Sequence, residues 1–176
     1  MRHLIERVLE LSEEEQVKVS PNEIPPGQGS EEELQALLES LQPRIRVYGA
    51  GGAGCNAVSR LFEEGLFDNS YVTGYAINTD AQALLMSPLE EKVLIGRTAR
   101  GRGAGGDPTK GEAAALESEM VLRRITNDTQ LAIITAGMGG GSGTGAAGHI
   151  ARLAKQQGAM TLSLIHISEP TRRSDI

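Results

Sequence analysis

The chain has 176 residues, of which 39% are hydrophobic and 23% charged, as is typical of a soluble globular protein with one core. The formal net charge is −6 and there is no basic stripe, so we expect no nucleic-acid partner. Cys55 is the only cysteine, which excludes an internal disulfide and favours a reducing, cytoplasmic setting. No apolar run is long enough to span a membrane directly, and the N-terminus lacks the apolar core of a signal peptide.

Residues 1–43 form an acidic N-terminal extension with ten acidic and three basic side chains, whereas the remainder of the chain is nearly neutral. Prolines and glycine at 21–27 interrupt regular structure, and Ser30 followed by three glutamates is a helix start that leads to a stop at Pro43. Two interpretations remain open. The extension is either solvated with one helix docked on the body, or it is an adaptor for a partner protein.

The body begins with a β-rich run, Arg44–Tyr48, that enters the glycine-rich loop 1, Gly49–Asn56, before a helix. The first turn of a helix offers free N–H groups and the positive end of its dipole, which together suit an anion such as phosphate. The same glycine spacing also satisfies the dinucleotide-binding fingerprint, which leaves a dinucleotide-binding oxidoreductase open, with Asp80 as the ribose acid. We expect Cys55 to fill space rather than to react.

Loop 2, Asn78–Asp80, follows the next probable strand, Tyr71–Ile77. Polar side chains at a strand end can face a ligand, and Thr79 or Asp80 can also cap the next helix. Both roles can hold at once, because a capping residue can still reach a ribose or the waters of a bound metal.

Loop 3, Gly101–Pro108, comes after a short strand at 92–96 and before a long predicted helix. Asp107 is a suitable N-cap and Pro108 a suitable first helical residue. Arginines at 97, 100 and 102 are expected to be solvated. Apolar residues at helical spacing predict the buried face of this helix as Ala113, Leu116, Met120, Val121 and Ile125.

Loop 4, Gly137–Gly145, follows the apolar strand Leu131–Thr135 and leads into an amphipathic helix that Gly158 ends. Its glycines allow close approach of a ligand, and Ser142 and Thr144 add hydroxyl donors. A flexible linker would need neither the strand before the loop nor the helix after it. We expect His149 to be a packing or surface residue, and Met160 to begin the last strand.

These elements predict an α/β fold, a Rossmann-like parallel sheet with helices on both faces. Ligands of such sheets bind at the carboxyl ends of the strands, where all four loops fall. Neither glycine-rich loop contains lysine, so phosphate charge must be met by backbone N–H groups, helix dipoles and a metal ion. The residues alone therefore predict one nucleotide-phosphate site built from several loops.

Loop 4 resembles the signature loop of the tubulin-like GTPases as it occurs in FtsZ, the prokaryotic cell-division GTPases, with Ser142 where threonine is usual. Loop 1 resembles the first nucleotide loop of that family, including its terminal Asn56, and the run Asn78–Leu84 reads NTDAQAL as in FtsZ. The resemblance covers approximately residues 44–162, with boundaries that are uncertain by a few residues, and points to the archaeal type of FtsZ.

The resemblance implies that GTP or GDP binds together with Mg²⁺, and that loop 3 senses the terminal phosphate from Gly103 to Pro108. Gly106 and Asp107 stand where the family more often has Ala-Asn. It implies no catalytic residue in this chain and leaves any metal ligand unknown. The implied nucleotide-binding residues are Gly51, Gly52, Ala53, Gly54, Cys55, Asn56, Asn78, Asp80, Ala104, Gly105, Gly139, Gly140, Gly141, Ser142, Gly143 and Thr144.

The resemblance also implies head-to-tail self-association into division filaments, with hydrolysis completed by aspartates that a later domain of the neighbouring subunit supplies. The match ends near Leu162, which divides the chain into the extension 1–43, an incomplete GTP-binding domain 44–162 and an aberrant tail 163–176. We therefore expect this chain to bind guanine nucleotide weakly, without hydrolysing it or forming filaments. A tubulin-like cell-shape protein and a scaffold whose acidic extension binds a division-protein partner remain as alternatives.

Overall fold

A computed structural model describes residues 30, 31, 34, 35, 37, 38 and 42–167. The chain divides into two compact units, Met1–Leu41 and Gln42–Ile176. In the first unit the described residues from Glu31 to Leu38 are helical, and the carbonyl of Ser30 accepts a hydrogen bond from the N–H of Leu34 at 3.1 Å. The predicted helix start at Ser30 is therefore present, and the chain is not helical at Gln42 and Pro43, which agrees with the predicted stop. The interruption predicted at 21–27 lies outside the described residues.

The second unit is built on a five-stranded sheet in which every neighbouring pair of strands is parallel. The strand order is β3-β2-β1-β4-β5, so the first strand lies in the middle of the sheet and later strands are added on both sides of it. This confirms the predicted α/β class. The strands are β1 (Ile45–Ala50), β2 (Val72–Asn78), β3 (Glu91–Leu94), β4 (Leu131–Met138) and β5 (Met160–Ile167).

Helices cover both faces of the sheet, and each face has its own core. Tyr48, Ile134 and Ile150 belong to one core cluster, and Val47 and Val58 belong to the other. The helices are α1 (Gly51–Glu63), α2 (Ala81–Met86), α3 (Pro108–Glu117), α4 (Glu119–Thr126) and α5 (Gly141–Gln156), with a short 3₁₀ turn at Arg97–Ala99. None of the helices in the described residues is long and apolar enough to cross a membrane.

The register of the sheet brings the carboxyl ends of its strands to one edge. Ala50 at the end of β1 pairs with Ile77 of β2 and with Ala136 of β4, and Asn78 pairs with Leu94. Since all strands run in the same direction, loops 1 to 4 leave the sheet at this edge, as the sequence predicts.

The structure corrects the buried face predicted for the long helix after loop 3. The helix bends at Ser118 into α3 and α4, and Gly111, Ala114 and Ala115 face the core. A Cβ at Gly111 would collide with the Gly141 carbonyl oxygen of α5, so the two backbones are in close contact there. Only small side chains fit between helices at that distance. The larger predicted residues Leu116, Met120 and Val121, together with Ala113, are exposed, and only Ile125 is buried.

The last strand continues into the segment predicted as an aberrant tail. β5 pairs with β4 from Leu131↔Met160 to Met138↔Ile167. The beginning of the strand at Met160 is confirmed. That residues 163–176 are an aberrant tail outside the family resemblance stays a prediction, and residues 168–176 lie outside the described part of the chain.

Candidate functional site

Loops 1 and 4 touch each other at the carboxyl edge of the sheet. The chain passes directly from β1 into α1 through Gly51, whose φ of +69° is in the left-handed region. A Cβ at Gly51 would lie 2.5 Å from the backbone nitrogen of Gly143, and a Cβ at Gly143 would lie 2.9 Å from the carbonyl oxygen of Ala50. Both positions therefore need glycine, and the N-termini of α1 and α5 stand side by side.

Neither of these two N-termini is capped by a side chain. Ala50 and Gly140 are the N-cap residues of α1 and α5, they make no side-chain capping bond, and neither helix has an acidic residue in its first turn. Gly52, Ala53 and Gly139 beside them are exposed. Among the described residues, the first N–H groups of both helices are thus left without a side-chain acceptor, whereas the N–H of Gly139, just before α5, donates to the Thr144 hydroxyl at 3.2 Å. We refer to Ala50–Ala53 and Gly139–Gly141 as the amide site.

Helices α2 and α3, at the same edge, are capped by their own carboxylates. Asp80 Oδ1 accepts from the N–H groups of Gln82 at 2.9 Å and Ala83 at 3.3 Å. Asp107 Oδ1 accepts from the N–H of Thr109 at 2.9 Å and from its hydroxyl at 2.6 Å. These bonds lower the pKa of Asp107 below its ordinary value. The predicted capping roles are confirmed, as is Pro108 in the first turn of α3.

Loop 2 connects loop 4 to loop 3 through buried hydrogen bonds. The Thr79 and Ser142 hydroxyls lie 2.6 Å apart, and the Thr79 carbonyl accepts from the N–H of Gly103 at 3.1 Å. Asn78 is buried, and its Oδ1 accepts from the N–H groups of Thr79 at 2.8 Å and Asp80 at 3.3 Å. Asn78 therefore shapes this loop, with its side-chain oxygen already engaged by the backbone.

Loop 3 packs against the first residue of α5, Gly141. The Ala104 Cβ is 2.8 Å from where a Cβ on Gly141 would stand, and the backbone nitrogen of Asp107 is 2.7 Å from that point. Ala104 is buried in this contact, whereas Gly105 beside it is exposed. The arginines at 97, 100 and 102 are exposed, as expected. The structure therefore brings all four predicted loops to one region of the surface.

Cys55 and His149 lie inside the fold. The Cys55 thiol donates weakly to the carbonyls of Gly49 at 3.5 Å and Ile77 at 3.6 Å, and burial raises its pKa to about 11. A thiol with that pKa stays protonated near neutral pH, so Cys55 fills space. His149 is buried on α5, which agrees with the packing role expected for it.

A cleft of about 740 Å³ opens beside the amide site, between α1, the carboxyl end of β4 and the middle of β5. It begins at Ala53 and Gly137 and includes Asn56, which the sequence predicts, and Arg60, which it does not. Arg60 follows Asn56 by four residues and so lies on the same side of α1. This four-residue spacing is the sequence signal that could have identified Arg60, but the same spacing is common in surface helices. The remaining lining residues are Ala57, Thr135, Ala136, Ser163 and Leu164.

Comparison with protein families matches residues 44–175 to the GTPase domain of the Tubulin/FtsZ family. The chain is 43% identical over 166 residues to Cell division protein FtsZ 1 of Pyrococcus horikoshii. It is 46% identical over 168 residues to the FtsZ 1 of Pyrococcus abyssi. Each alignment covers 94% of this chain and 44% of the relative, so the chain spans less than half the length of these curated relatives.

Comparison with solved structures also finds similarity to FtsZ and to a related protein, CetZ2. The empty FtsZ dimer of M. jannaschii superposes with a TM-score of 0.70 at 40% identity, over 78% of this chain and 40% of that one. A protofilament of CetZ2 from Haloferax volcanii with GTPγS bound superposes with a TM-score of 0.60 at 27% identity, over 69% and 39% of the two chains. Identity to FtsZ is thus higher than to CetZ2. The chain belongs to the Tubulin/FtsZ family and matches its GTPase domain.

Proposed function

We propose that this chain binds a guanine nucleotide, GTP or GDP, with the polyphosphate lying across the amide site. The observation that carries the proposal is the contact between two helix N-termini that both lack a capping side chain. A polyphosphate would accept hydrogen bonds from these N–H groups and would interact favourably with both helix dipoles. No lysine stands in loop 1 or loop 4, so the backbone supplies the donors.

The predicted residues take three roles in this proposal. The first N–H groups of α1 and α5, at the amide site, bind phosphate oxygens, and the exposed Gly105, next to Ala104, faces the terminal phosphate. The N–H of Thr144 already donates to the Gly140 carbonyl at 3.3 Å and belongs to the helix ladder. The nucleoside extends into the neighbouring cleft, where Asn56 offers a side-chain amide. Asn78 and Asp80 support the site by shaping loop 2 and capping α2. The support for these roles is geometric, since these loops meet at one edge of the sheet.

Mg²⁺ fits this arrangement as a partner of the nucleotide rather than as a resident ion. The described residues contain no group of three His, Cys, Asp or Glu side chains that could hold a metal. Asp80 and Asp107, two carboxylates at this edge, are occupied by N–H donors. Phosphate oxygens and water would therefore supply most of the oxygen ligands that Mg²⁺ requires. When bound, the ion neutralises phosphate charge.

In the complete protein we propose head-to-tail filaments that hydrolyse GTP at subunit contacts during cell division. The relatives of this chain are named cell division proteins, and the similar structures are a dimer and a protofilament. In the described residues, Asp80 and Asp107 are caps and His149 is buried, so none of them is placed as a general base beside the amide site. We therefore propose that the 176-residue chain binds nucleotide weakly and does not hydrolyse GTP on its own.

Fluorescence titration of the purified chain tests the proposal, with labelled GDP as the probe and unlabelled competitors. We expect GDP and GTP to compete at least about 100-fold better than guanosine, because the phosphates supply charge-assisted hydrogen bonds. NADH should compete poorly. Equal competition by guanosine and GDP, or preferential binding of NADH, would contradict a guanine polyphosphate site. Phosphate release measured on the same sample tests hydrolysis separately, and steady-state release of phosphate from GTP would contradict the proposed lack of turnover.

A further inference from the structure

Two buried hydroxyl groups meet between loop 2 and loop 4. Thr79 and Ser142 are 1% and 8% exposed, and their hydroxyl oxygens lie 2.6 Å apart. Ser142 is the second residue of α5, next to Gly141 of the amide site. Within the part of the chain that the structure describes, neither hydroxyl has another hydrogen-bond partner. The pair therefore adjoins the site proposed for phosphate.

Burial decides which of the two hydroxyls donates. Each hydroxyl has one hydrogen, so in a pair one oxygen donates and the other keeps its own hydrogen for a third group. If Ser142 donated, the hydrogen of Thr79 would remain buried without an acceptor, which costs free energy. If Thr79 donates, the remaining hydrogen is that of Ser142, in the first turn of α5, where an anion is favoured. The second arrangement is the more stable one, and it leaves Ser142 as a hydroxyl donor beside the amide site.

The main chain of Thr79 is held from both sides. Its N–H donates to Asn78 Oδ1 at 2.8 Å, and its carbonyl accepts from the N–H of Gly103 at 3.1 Å. The N–H of Ala81 donates to the Gly101 carbonyl at 3.1 Å, which completes a short antiparallel bridge between loop 2 and loop 3. A β-branched side chain on a fixed backbone has little freedom about χ1. The direction of the Thr79 hydroxyl is therefore set before any ligand binds.

We propose that Thr79 is a positioning residue of the nucleotide site, whose hydroxyl donates to Ser142 and so directs the Ser142 hydroxyl at a phosphate oxygen. The inference rests on the proposed function and adds a side-chain donor to the backbone N–H groups. A hydroxyl that accepts one hydrogen bond donates more strongly, because chains of hydrogen bonds polarise one another. Thr79 itself contacts no phosphate and acts through Ser142.

The labelled-GDP titration tests the inference with the isosteric variant Thr79→Val. We expect GDP affinity to fall about threefold to tenfold, because the Ser142 hydroxyl loses the bond that fixes and polarises it. Competition by guanosine should be unchanged, because guanosine carries no phosphate. Thr79→Ser keeps the hydroxyl and should restore GDP affinity to within about twofold of the wild type.

Thr129→Val is the matched control for losing a buried hydroxyl pair. Thr129 is buried, and its hydroxyl lies 3.1 Å from Tyr48 Oη. It stands just before β4 begins at Leu131, at the opposite edge of the sheet from loops 1 to 4. Thr129→Val should therefore leave GDP affinity unchanged. An equal loss of affinity in Thr79→Val and Thr129→Val would overturn the inference, since a general loss of buried hydrogen bonding would explain both.

A double-mutant cycle tests whether Thr79 acts through Ser142. Ser142→Ala should weaken GDP binding about tenfold or more, since it removes a hydroxyl donor to a charged group. Adding Thr79→Val to Ser142→Ala should cause no further loss, because the route through Ser142 is already gone. The double variant replaces both buried hydroxyls by apolar groups, so it should fold even if Thr79→Val alone does not. Further weakening in the double variant would overturn the inference.

The wild type separates failure of this inference from failure of the proposed function. If the wild type does not bind labelled GDP, the proposed function is wrong and the inference fails with it. If the wild type binds GDP and Thr79→Val binds it equally well, the inference alone is overturned.

Discussion

Two pairs of helices begin at the same edge of the sheet and differ in how their first N–H groups are satisfied. Helices α2 and α3 are capped by Asp80 and Asp107, whose oxygens accept from the N–H groups of the first turn. Helices α1 and α5 begin at Ala50 and Gly140 with no side-chain cap. The first N–H groups of α2 and α3 thus have side-chain acceptors within the chain. Those of α1 and α5 have no such acceptor among the described residues and are available to a ligand.

This difference in capping distinguishes the helices with a structural cap from the proposed binding positions more clearly than glycine content does. Glycines occur before α3 as well as before α5, yet at α3 the chain supplies its own carboxylate. An anion at α3 would meet a site that is already filled and negatively charged, whereas at α1 and α5 it would replace a missing cap. The polyphosphate is therefore expected at the uncapped pair.

The largest change in stability is expected for a substitution where the uncapped helix α5 packs on the capped helix α3. A Cβ at Gly145 of α5 would collide with the backbone of Glu112 and Pro108 in α3. We expect Gly145→Ala to lower the free energy of unfolding by about 2–4 kcal/mol, as overpacking does. Gly148→Ala, where nothing lies within 4 Å, should instead raise it by up to about 1 kcal/mol through helix propensity. Urea denaturation measures both, and equal shifts would contradict a close helix contact at Gly145.

Adding a capping carboxylate to α5 tests directly whether the uncapped helices bind phosphate. Gly140 has φ −90° and ψ 151°, which any residue adopts, and a Cβ there would meet only the Gly137 carbonyl oxygen at 4.0 Å. Gly140→Asp should cap α5 and lower GDP affinity about 100-fold, or about 2.7 kcal/mol, through competition and charge repulsion. Gly140→Asn should cap the helix with a smaller loss of affinity. Unchanged affinity of Gly140→Asp in the labelled-GDP titration would exclude α5 from phosphate binding.

Removing a cap from the other pair tests its structural role. Asp80→Ala should lower the free energy of unfolding by about 1 kcal/mol, because the N–H groups of Gln82 and Ala83 lose their acceptor. Asp80→Asn should retain most of the stability. Asp68→Ala changes an exposed aspartate outside the caps and should stay within about 0.5 kcal/mol. If Asp80→Ala were as stable as Asp68→Ala in urea denaturation, the cap would contribute little.

The smallest predicted effect is on the pH dependence of stability, and it arises from His149, two turns along the uncapped helix α5. Its Nε2 has no hydrogen-bond partner among the residues that the structure describes, and it lies 3.9 Å from Glu119 Oε2. Burial lowers the His149 pKa below its ordinary value of 6.5, and the nearby Glu119 carboxylate opposes this shift only in part. The folded state therefore binds fewer protons than the unfolded state, so stability should fall as the pH drops below 6.5. Urea denaturation at several pH values should show a flatter dependence for His149→Gln, and an identical dependence would contradict this origin.

Much of the site could be predicted from the sequence, because its signals are local. An apolar strand followed by a glycine cluster and an amphipathic helix predicts an anion-binding turn from adjacent residues alone. The caps at Asp80 and Asp107 are equally local, since each involves residues two or three positions away. The sequence predicts only part of the cleft lining. Asn56 belongs to a recognisable loop, whereas Arg60 and Thr135 join it through the arrangement of α1 against β4.

The amino-acid sequence by itself determined the order of strands, glycine loops and helices, and hence the parallel α/β class and the edge at which the loops gather. The tertiary structure alone decided that Gly51 meets Gly143 and that Gly111 lies against α5, because these contacts join residues 92 and 30 positions apart. It also decided that Leu116, Met120 and Val121 stay exposed. Helical spacing shows that an apolar face exists, but the distance to the next helix determines whether that face or the small-residue face is buried.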